Sequence, residues 1–226
     1  MKTKAILFAI LSLSLIFTSC QKDDLNVVPS TRVTTTSFSA TNISQLDVSD
    51  IFNVYVDFSE TEEYVQVEAS ENIHQLIEMS QTGDKLIIGL KRNSTITGTP
   101  VLNVYIKTAT LSKVIAEGAA SVEFENLLET SQLDVKVTGA AKVSGSIDVS
   151  DLVASLLGAS ILDISGRSNS FDIDAEGASE MTGFDFACNS LKPNYLILQL
   201  ISLLSVYFFF DSYSFFSCSI QLVLTQ

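Results

Sequence analysis

The sequence predicts an all-β protein, a right-handed parallel β-helix or β-solenoid entered through an antiparallel hairpin region with one short helix. Three observations predict it. Four segments begin Gly-Ala, at Gly118, Gly139, Gly158 and Gly177, spaced 21, 19 and 19 residues apart. The residues six, four and two before the last three glycines are apolar: Leu133, Val135 and Val137; Leu152, Ala154 and Leu156; Phe171, Ile173 and Ala175. The first copy is looser, with Ser112, Val114 and Ala116, and every copy has an apolar residue four past its glycine: Val122, Val143, Leu162 and Met181.

Period-two apolar residues mark a strand that buries one face, and a glycine at its end suits a sharp turn or a close backbone approach. A unit of about 20 residues cannot bury that face alone, so copies must stack, with parallel neighbours about 4.8 Å apart. Stacked strand-turn-strand units make a solenoid. Leucine-rich repeats would want helix-compatible stretches and an asparagine ladder, and an antiparallel sandwich would not hold so constant a register.

Upstream, Phe52, Val54, Val56 and Phe58 alternate, an acidic turn covers 59–63, and Val65, Val67 and Ala69 follow, which reads as a hairpin. Within 71–79, Ile73, Leu76 and Ile77 suggest one short amphipathic helix with Ser70 as its cap. It carries His74, the sole histidine, read as a surface helix residue and not a base. A turn at 81–84, a strand over 85–90 and another marked by Leu102, Val104 and Ile106 would cap or begin the stack.

The two ends of the chain differ from this middle. Lys2 and Lys4 precede an apolar run over 5–17 that ends in Thr18, Ser19 and Cys20, the order of a signal peptide over 1–19. The run is shorter than the roughly 20 residues a membrane helix needs. Its end resembles a bacterial lipobox, which would place a lipid on Cys20, and several buried acyl chains hold a protein on a membrane stably. Gln21, Lys22, Asp23 and Asp24 resemble an export signal to the outer face of the outer membrane, against the plainer reading of a solvated linker start. Residues 20–40 read as a lipidated, flexible stalk, rich in Ser, Thr, Asn and Pro beyond residue 25. The domain itself spans 41–191, about 150 residues and one core.

Past Lys192 the character changes. Residues 195–210 are broken only by Gln199, Ser202 and Ser205, and from Pro193 onward the sole charge is Asp211, with no glycine. The tail over 192–226 reads as a second membrane segment, as strands closing the solenoid, or as a frameshifted or truncated end. The last is preferred, because a frame change abolishes periodicity, glycine spacing and charge at one point.

The formal net charge is −13, and removing residues 1–19 takes two lysines and no acid, so nucleic acid and anionic lipid heads are repelled. With Cys20 lipidated, Cys188 and Cys218 cannot frame a disulfide-rich domain. Asp172, Asp174 and Glu176 share one strand face and are the calcium candidates, set against a plain solvated face whose other side is Phe171, Ile173 and Ala175. The plain face is preferred, because the neighbouring copy offers Val153, Ser155 and Leu157 in place of ligands. Lys113 over Asp134 suggests a pair one rung apart. A polysaccharide lyase would need a base beside a charge-neutralising site, and Arg167, the only arginine in the repeats, has no evident carboxylate cluster in register. Gly-x-Ser-x-Gly, phosphate-loop and paired-cysteine motifs are missing from the sequence. No enzyme, cofactor or resident metal is expected.

With its elements in this order, the chain resembles the putative auto-transporter adhesin head GIN domain family of bacterial surface lipoproteins, over about residues 36–191. The carriers are Asp50-Ile51-Phe52-Asn53-Val54-Tyr55-Val56, Val65-Gln66-Val67-Glu68-Ala69-Ser70-Glu71-Asn72-Ile73, and the stretch from Leu111 through Ile115-Ala116-Glu117-Gly118-Ala119 with its later repeats. One departure is that no Gly-Ile-Asn tripeptide occurs. The resemblance implies a pectin-lyase-like β-helix and an adhesive role without enzyme activity. The expected partners are a membrane, through the lipid, and a host or bacterial surface glycan or protein, with the extracellular face of the outer membrane as location. A glycan-processing enzyme or a structural envelope protein is the alternative.

Overall fold

A computed structural model describes residues 25–183, 186–193 and 222–223. Alternating apolar residues make strands along nearly all of them. The strands are β1 (Leu25–Val27), β2 (Val33–Phe38), β3 (Gln45–Val48), β4 (Asn53–Phe58), β5 (Tyr64–Ser70), β6 (Ile77–Thr82), β7 (Lys85–Leu90), β8 (Ser94–Ile96) and β9 (Leu102–Thr108). They continue with β10 (Lys113–Ala116), β11 (Ser121–Phe124), β12 (Leu128–Gly139), β13 (Lys142–Gly158), β14 (Ile161–Gly177), β15 (Glu180–Thr182), β16 (Phe186–Pro193) and β17 (Leu222–Val223).

The Gly-Ala copies stack in parallel, each residue beside its equivalent. Val114, Val135, Ala154 and Ile173 form one buried column through β10, β12, β13 and β14, and Ala116, Val137, Leu156 and Ala175 form the next. Burying each Val, Leu or Ile contributes roughly 1.5–3 kcal/mol. The glycines make a column of their own, Gly139 beside Gly158 and Gly158 beside Gly177. Gly139 has φ +84°, and a Cβ there would lie 2.7 Å from the Gly118 carbonyl oxygen. That same oxygen accepts the Ala140 amide at 2.7 Å, so each turn is seated on the turn before it.

The right-handed parallel β-helix expected from the repeat is not the architecture. Fifteen strands form one mixed sheet whose main path runs β2-β5-β9-β4-β11-β13-β12-β10-β3-β7-β6. The pairs β2–β5, β5–β9 and β6–β7 are antiparallel, while the pairs from β9 to β7 along the rest of the path are parallel. Long strands carry the sheet round its bends: residues 142–144 of β13 pair with β11 and residues 147–158 with β12. The ends of the path, β2 and β6, approach each other across a groove of about 410 Å³ lined by Thr36, Phe38, Val67, His74, Ile77 and Met79. The result is a nearly closed, barrel-like sheet. The periodic segment starts only near residue 112, so it carries no information on the earlier strands that complete this path.

Two further expectations are corrected. β4 and β5 are not a hairpin, because β9 lies between them, parallel to β4 and antiparallel to β5. The short helix is a single 3-10 turn, His74–Leu76, after which Ile77 begins β6. Ile73 and Leu76 are buried as a helix would bury them, but Ile77 and Met79 follow the period of a strand. The turn at 81–84 and the strand over 85–90 are present, with Gly83 at φ +65°, but the turn joins two strands, β6 and β7, into a hairpin instead of joining a helix to a strand. Residues 33–38, inside the stretch read as a stalk, form β2. The signal peptide, Cys20 and residues 194–221 and 224–226 of the tail lie outside the described residues.

Candidate binding face

Inward on β4, β9 and β5 are Val54 and Val56, Val104 and Ile106, and Val65 and Val67, all buried. The alternate residues must then face outward. Register sets Asn53 beside Asn103, Tyr55 beside Tyr105 and Asp57 beside Lys107, with Glu68, Gln66 and Tyr64 of β5 opposite those three β9 residues. The three strands thus present a plate of amides, phenols and charges.

Its side chains are tied to one another. Asn53 Nδ2 donates to Asn103 Oδ1 at 3.2 Å, and Asn103 Nδ2 donates to Glu68 Oε2 at 2.9 Å. The Tyr105 hydroxyl donates to the same Glu68 oxygen at 3.2 Å. The rings of Tyr55 and Tyr105 stack with centroids 5.3 Å apart and planes 17° apart. Lys107 Nζ lies 3.0 Å from Asp57, 3.1 Å from Glu62 and 5.6 Å from the centre of the Tyr64 ring, itself 38% exposed.

Burial first, and then the neighbouring Glu68 carboxylate, push the Tyr105 phenol above its usual range, so it stays a donor at neutral pH. Hydrogen bonds to Asp57 and then Glu62 hold the Lys107 ammonium above its ordinary range. The plate offers ring faces, amide donors and acceptors, and carboxylate acceptors, fixed in place.

A second outward surface lies over β10, β12, β13 and β14. Lys113 meets Asp134 at 2.7 Å, the pair that the repeat spacing suggests, and Lys136 meets Glu117 at 3.3 Å. Asp172 has Val153 and Lys192 as register partners, Asp174 has Ser155, and Glu176 has Leu157. Among the described residues these carboxylates therefore have no second carboxylate beside them in the ladder, and Val153 and Leu157 are 40% and 44% exposed. Among the described residues no group of three or more His, Cys, Asp and Glu is placed to hold a metal ion.

Arg167, for which the sequence offers no evident carboxylate cluster in register, sits beside a single carboxylate, Asp148, and grips it with Nε to Oδ1 at 2.9 Å and Nη2 to Oδ2 at 2.5 Å. The guanidinium holds the Asp148 carboxyl below the usual carboxylate range. His74 is half-buried. Its Nε2 lies 2.9 Å from the Thr34 carbonyl oxygen, which can only accept, so Nε2 carries the proton and Nδ1 faces the Thr36 hydroxyl at 3.4 Å.

The plate escapes sequence reading because its parts are about 35 and 50 residues apart and precede the periodic segment. A signal does exist: the tripeptide Asn-Val-Tyr occurs at 53–55 and again at 103–105, and the structure lays the two copies side by side.

Residues 42–195 match the family model described as "Putative auto-transporter adhesin, head GIN domain". The chain belongs to this family. Membership supports a role in adhesion or binding at a cell surface. The head GIN domain here has the fold of several solved bacterial proteins. One is a putative adhesin from Bacteroides fragilis, 18% identical with a TM-score of 0.70, the match covering 74% of this chain and 78% of that one. Another is a putative lipid binding protein from Parabacteroides distasonis, 14% identical with a TM-score of 0.61, covering 75% and 80%. A third is a putative adhesin from Parabacteroides merdae, 15% identical with a TM-score of 0.59, covering 74% and 79%. At these identities the likeness is one of fold alone. No curated protein matches the sequence. No helix among the described residues is long and apolar enough to cross a membrane.

Proposed function

We propose that the protein is a lipid-anchored binding module on the outer face of the outer membrane, tethered through Cys20, which engages a surface glycan or protein and performs no chemistry on it. The observation that carries the binding reading is the plate on β4, β9 and β5: a broad outward surface whose polar groups are fixed by one another. Such preorganisation favours binding, because the ordering cost is met before a partner arrives. The tether is supported by the Lys2, Lys4 and apolar 5–17 leader running into Thr18-Ser19-Cys20. A surface address also suits the acidic charge, since it keeps the domain off anionic lipid heads while the acyl chains hold the terminus.

The test uses intact cells making the full chain. A radiolabelled fatty acid should be incorporated into the native protein and not into Cys20→Ala, and protease added outside the cells should remove the domain. Adherence to a glycan- or protein-coated surface should fall with the domain's removal. A chain that is unlabelled, or that is protected until the outer membrane is broken, would overturn the surface assignment.

A further inference from the structure

We propose that the cavity at Arg167, Asn169, Ala187 and Asn189, on the adjacent strands β14 and β16, is a carbohydrate subsite that takes one uncharged sugar residue of a surface polysaccharide. The assignment rests on the surface-binding reading above for the source of its ligand, and the site lies apart from the plate on β4, β9 and β5.

The cavity holds about 320 Å³, and these four residues are among those that line it. That volume is at the low end of the roughly 300–1,000 Å³ of small-ligand sites, which suits one small ring. The sequence makes the space by omission. Glu129, Asp148, Arg167 and Ala187 are successive register partners on β12, β13, β14 and β16, so three polar side chains are followed by a methyl group. Arg167 leans back onto Asp148, away from Ala187, and the room over that methyl is left unfilled.

The walls supply what a sugar needs. Asp148 takes the edge of the guanidinium that carries Nε and Nη2. The opposite edge carries Nη1, whose N–H groups are left to donate on the Ala187 side. Asn169 and Asn189 are both exposed, and Asn189 Nδ2 donates to Asn169 Oδ1 at 3.1 Å. That bond orients the two amides and leaves Asn169 Nδ2 to donate and Asn189 Oδ1 to accept. Adjacent strands lie about 4.8 Å apart, so one ring reaches groups on β14 and β16 at once. Each sugar hydroxyl both donates and accepts, and neighbouring hydroxyls on a ring match donors set beside an acceptor. The groups are fixed before the ligand arrives, which lowers the cost of binding.

Charge then selects among sugars. Glu129 and Asp148 stand against the single guanidinium of this ladder, so its positive charge is spent locally and the surplus is negative. Uronic acids and sulfated sugars are disfavoured, and neutral hexoses and N-acetylhexosamines are admitted. Among the described residues no aromatic ring lines the cavity. A single subsite of this kind is weak, and binding strength at a cell surface would come from many anchored copies meeting a repeating polymer.

The full chain, purified in detergent, would be presented multivalently to an array of oligosaccharides built from neutral hexoses and N-acetylhexosamines, with uronic-acid and sulfated oligosaccharides as counter-probes. Wild-type protein should bind a neutral set in preference to the anionic ones. Ala187→Leu fills the space and leaves every polar group in place, so it should weaken that binding at least tenfold. Asn169→Ala removes an exposed donor, should also lose about tenfold, and decides the matter if Ala187→Leu misfolds. Lys136→Ala, outside the cavity, should leave binding unchanged. Preference for anionic probes, no binding to any neutral probe, or full binding by both Ala187→Leu and Asn169→Ala would overturn the subsite. Cells that still adhere and are still shaved by protease after such a result would leave the surface-binding reading standing, so the two failures are separable.

Discussion

At Gly166 the chain tolerates no side chain. Its φ is +105°, and a Cβ would lie 2.0 Å from the Ile147 carbonyl oxygen and 3.0 Å from its carbon, both backbone atoms of the rung beneath. Gly83, in the β6–β7 turn, also has positive φ, at +65°, yet nothing stands within 4 Å of its Cβ position. The two separate conformational strain from collision. Gly83→Ala should cost about 1–2 kcal/mol, the left-handed penalty alone. Gly166→Ala should cost more than about 3 kcal/mol, because the rung spacing must also open. Urea unfolding of both variants checks this, and equal losses would show that rung contact adds nothing. Sequence spacing reveals the Gly-Ala column, since those glycines recur at 21, 19 and 19 residues. It does not reveal Gly166, whose register partners are Ile147 and Phe186 and which therefore stands in no glycine column. Arg167 and Asp148 escape the pattern for a related reason: they lie 19 residues apart, but outside the three outward positions that precede each glycine.

Among the elements, legibility followed the repeat. The parallel pairing of β10, β12, β13 and β14 is written in Leu133, Leu152 and Phe171 and their period-two successors, because a constant register repeats the same burial in every copy. Two alternating runs joined by an acidic turn suggest a β4–β5 hairpin, but β9 brings a closer match to β4: Asn103-Val104-Tyr105 beside Asn53-Val54-Tyr55. Cross-strand pairs of like shape stabilise a sheet locally, which a search for adjacent strands overlooks. The copies are also unequal in what they bury. Phe171 has no exposure and meets Phe186 edge to face with centroids 5.6 Å apart, so it fills the column occupied by Leu133 and Leu152 in earlier rungs. Phe171→Ala should therefore destabilise the fold by about 3–5 kcal/mol. Val153→Thr, on the adjacent strand but facing solvent, should change stability by less than about 0.5 kcal/mol. Thermal melts of the two variants would distinguish a solid interior from a loosely filled one, and comparable shifts would count against the packing described.

For the molecule as a whole, the decisive feature is where the sheet ends. Among the described residues β2 and β6 each pair on one side only, with β5 and β7, and an unpaired strand edge invites other chains. The two ends instead face each other across the groove lined by Phe38, Ile77 and Met79, and His74 spans the gap to Thr34 and Thr36. None of this is apparent from the sequence. Thr34, Thr35, Thr36 and Ser37 look like linker composition, although β-branched threonine also suits a strand, and His74 sits 40 residues from the carbonyl it reaches. If His74 closes the sheet, His74→Ala should cost about 1 kcal/mol, the net worth of a hydrogen bond, with Thr34 left to find a water. The loss should also be local. Hydrogen exchange should accelerate along β2, at the free end of the path, and stay unchanged in β12, β13 and β14, whose amides are held by strands on both sides. Unchanged exchange in β2 would mean that β5 alone holds the edge. A uniform increase across all strands would mean that closure supports the entire sheet, and the seam would then be a determinant of global stability instead of a local latch.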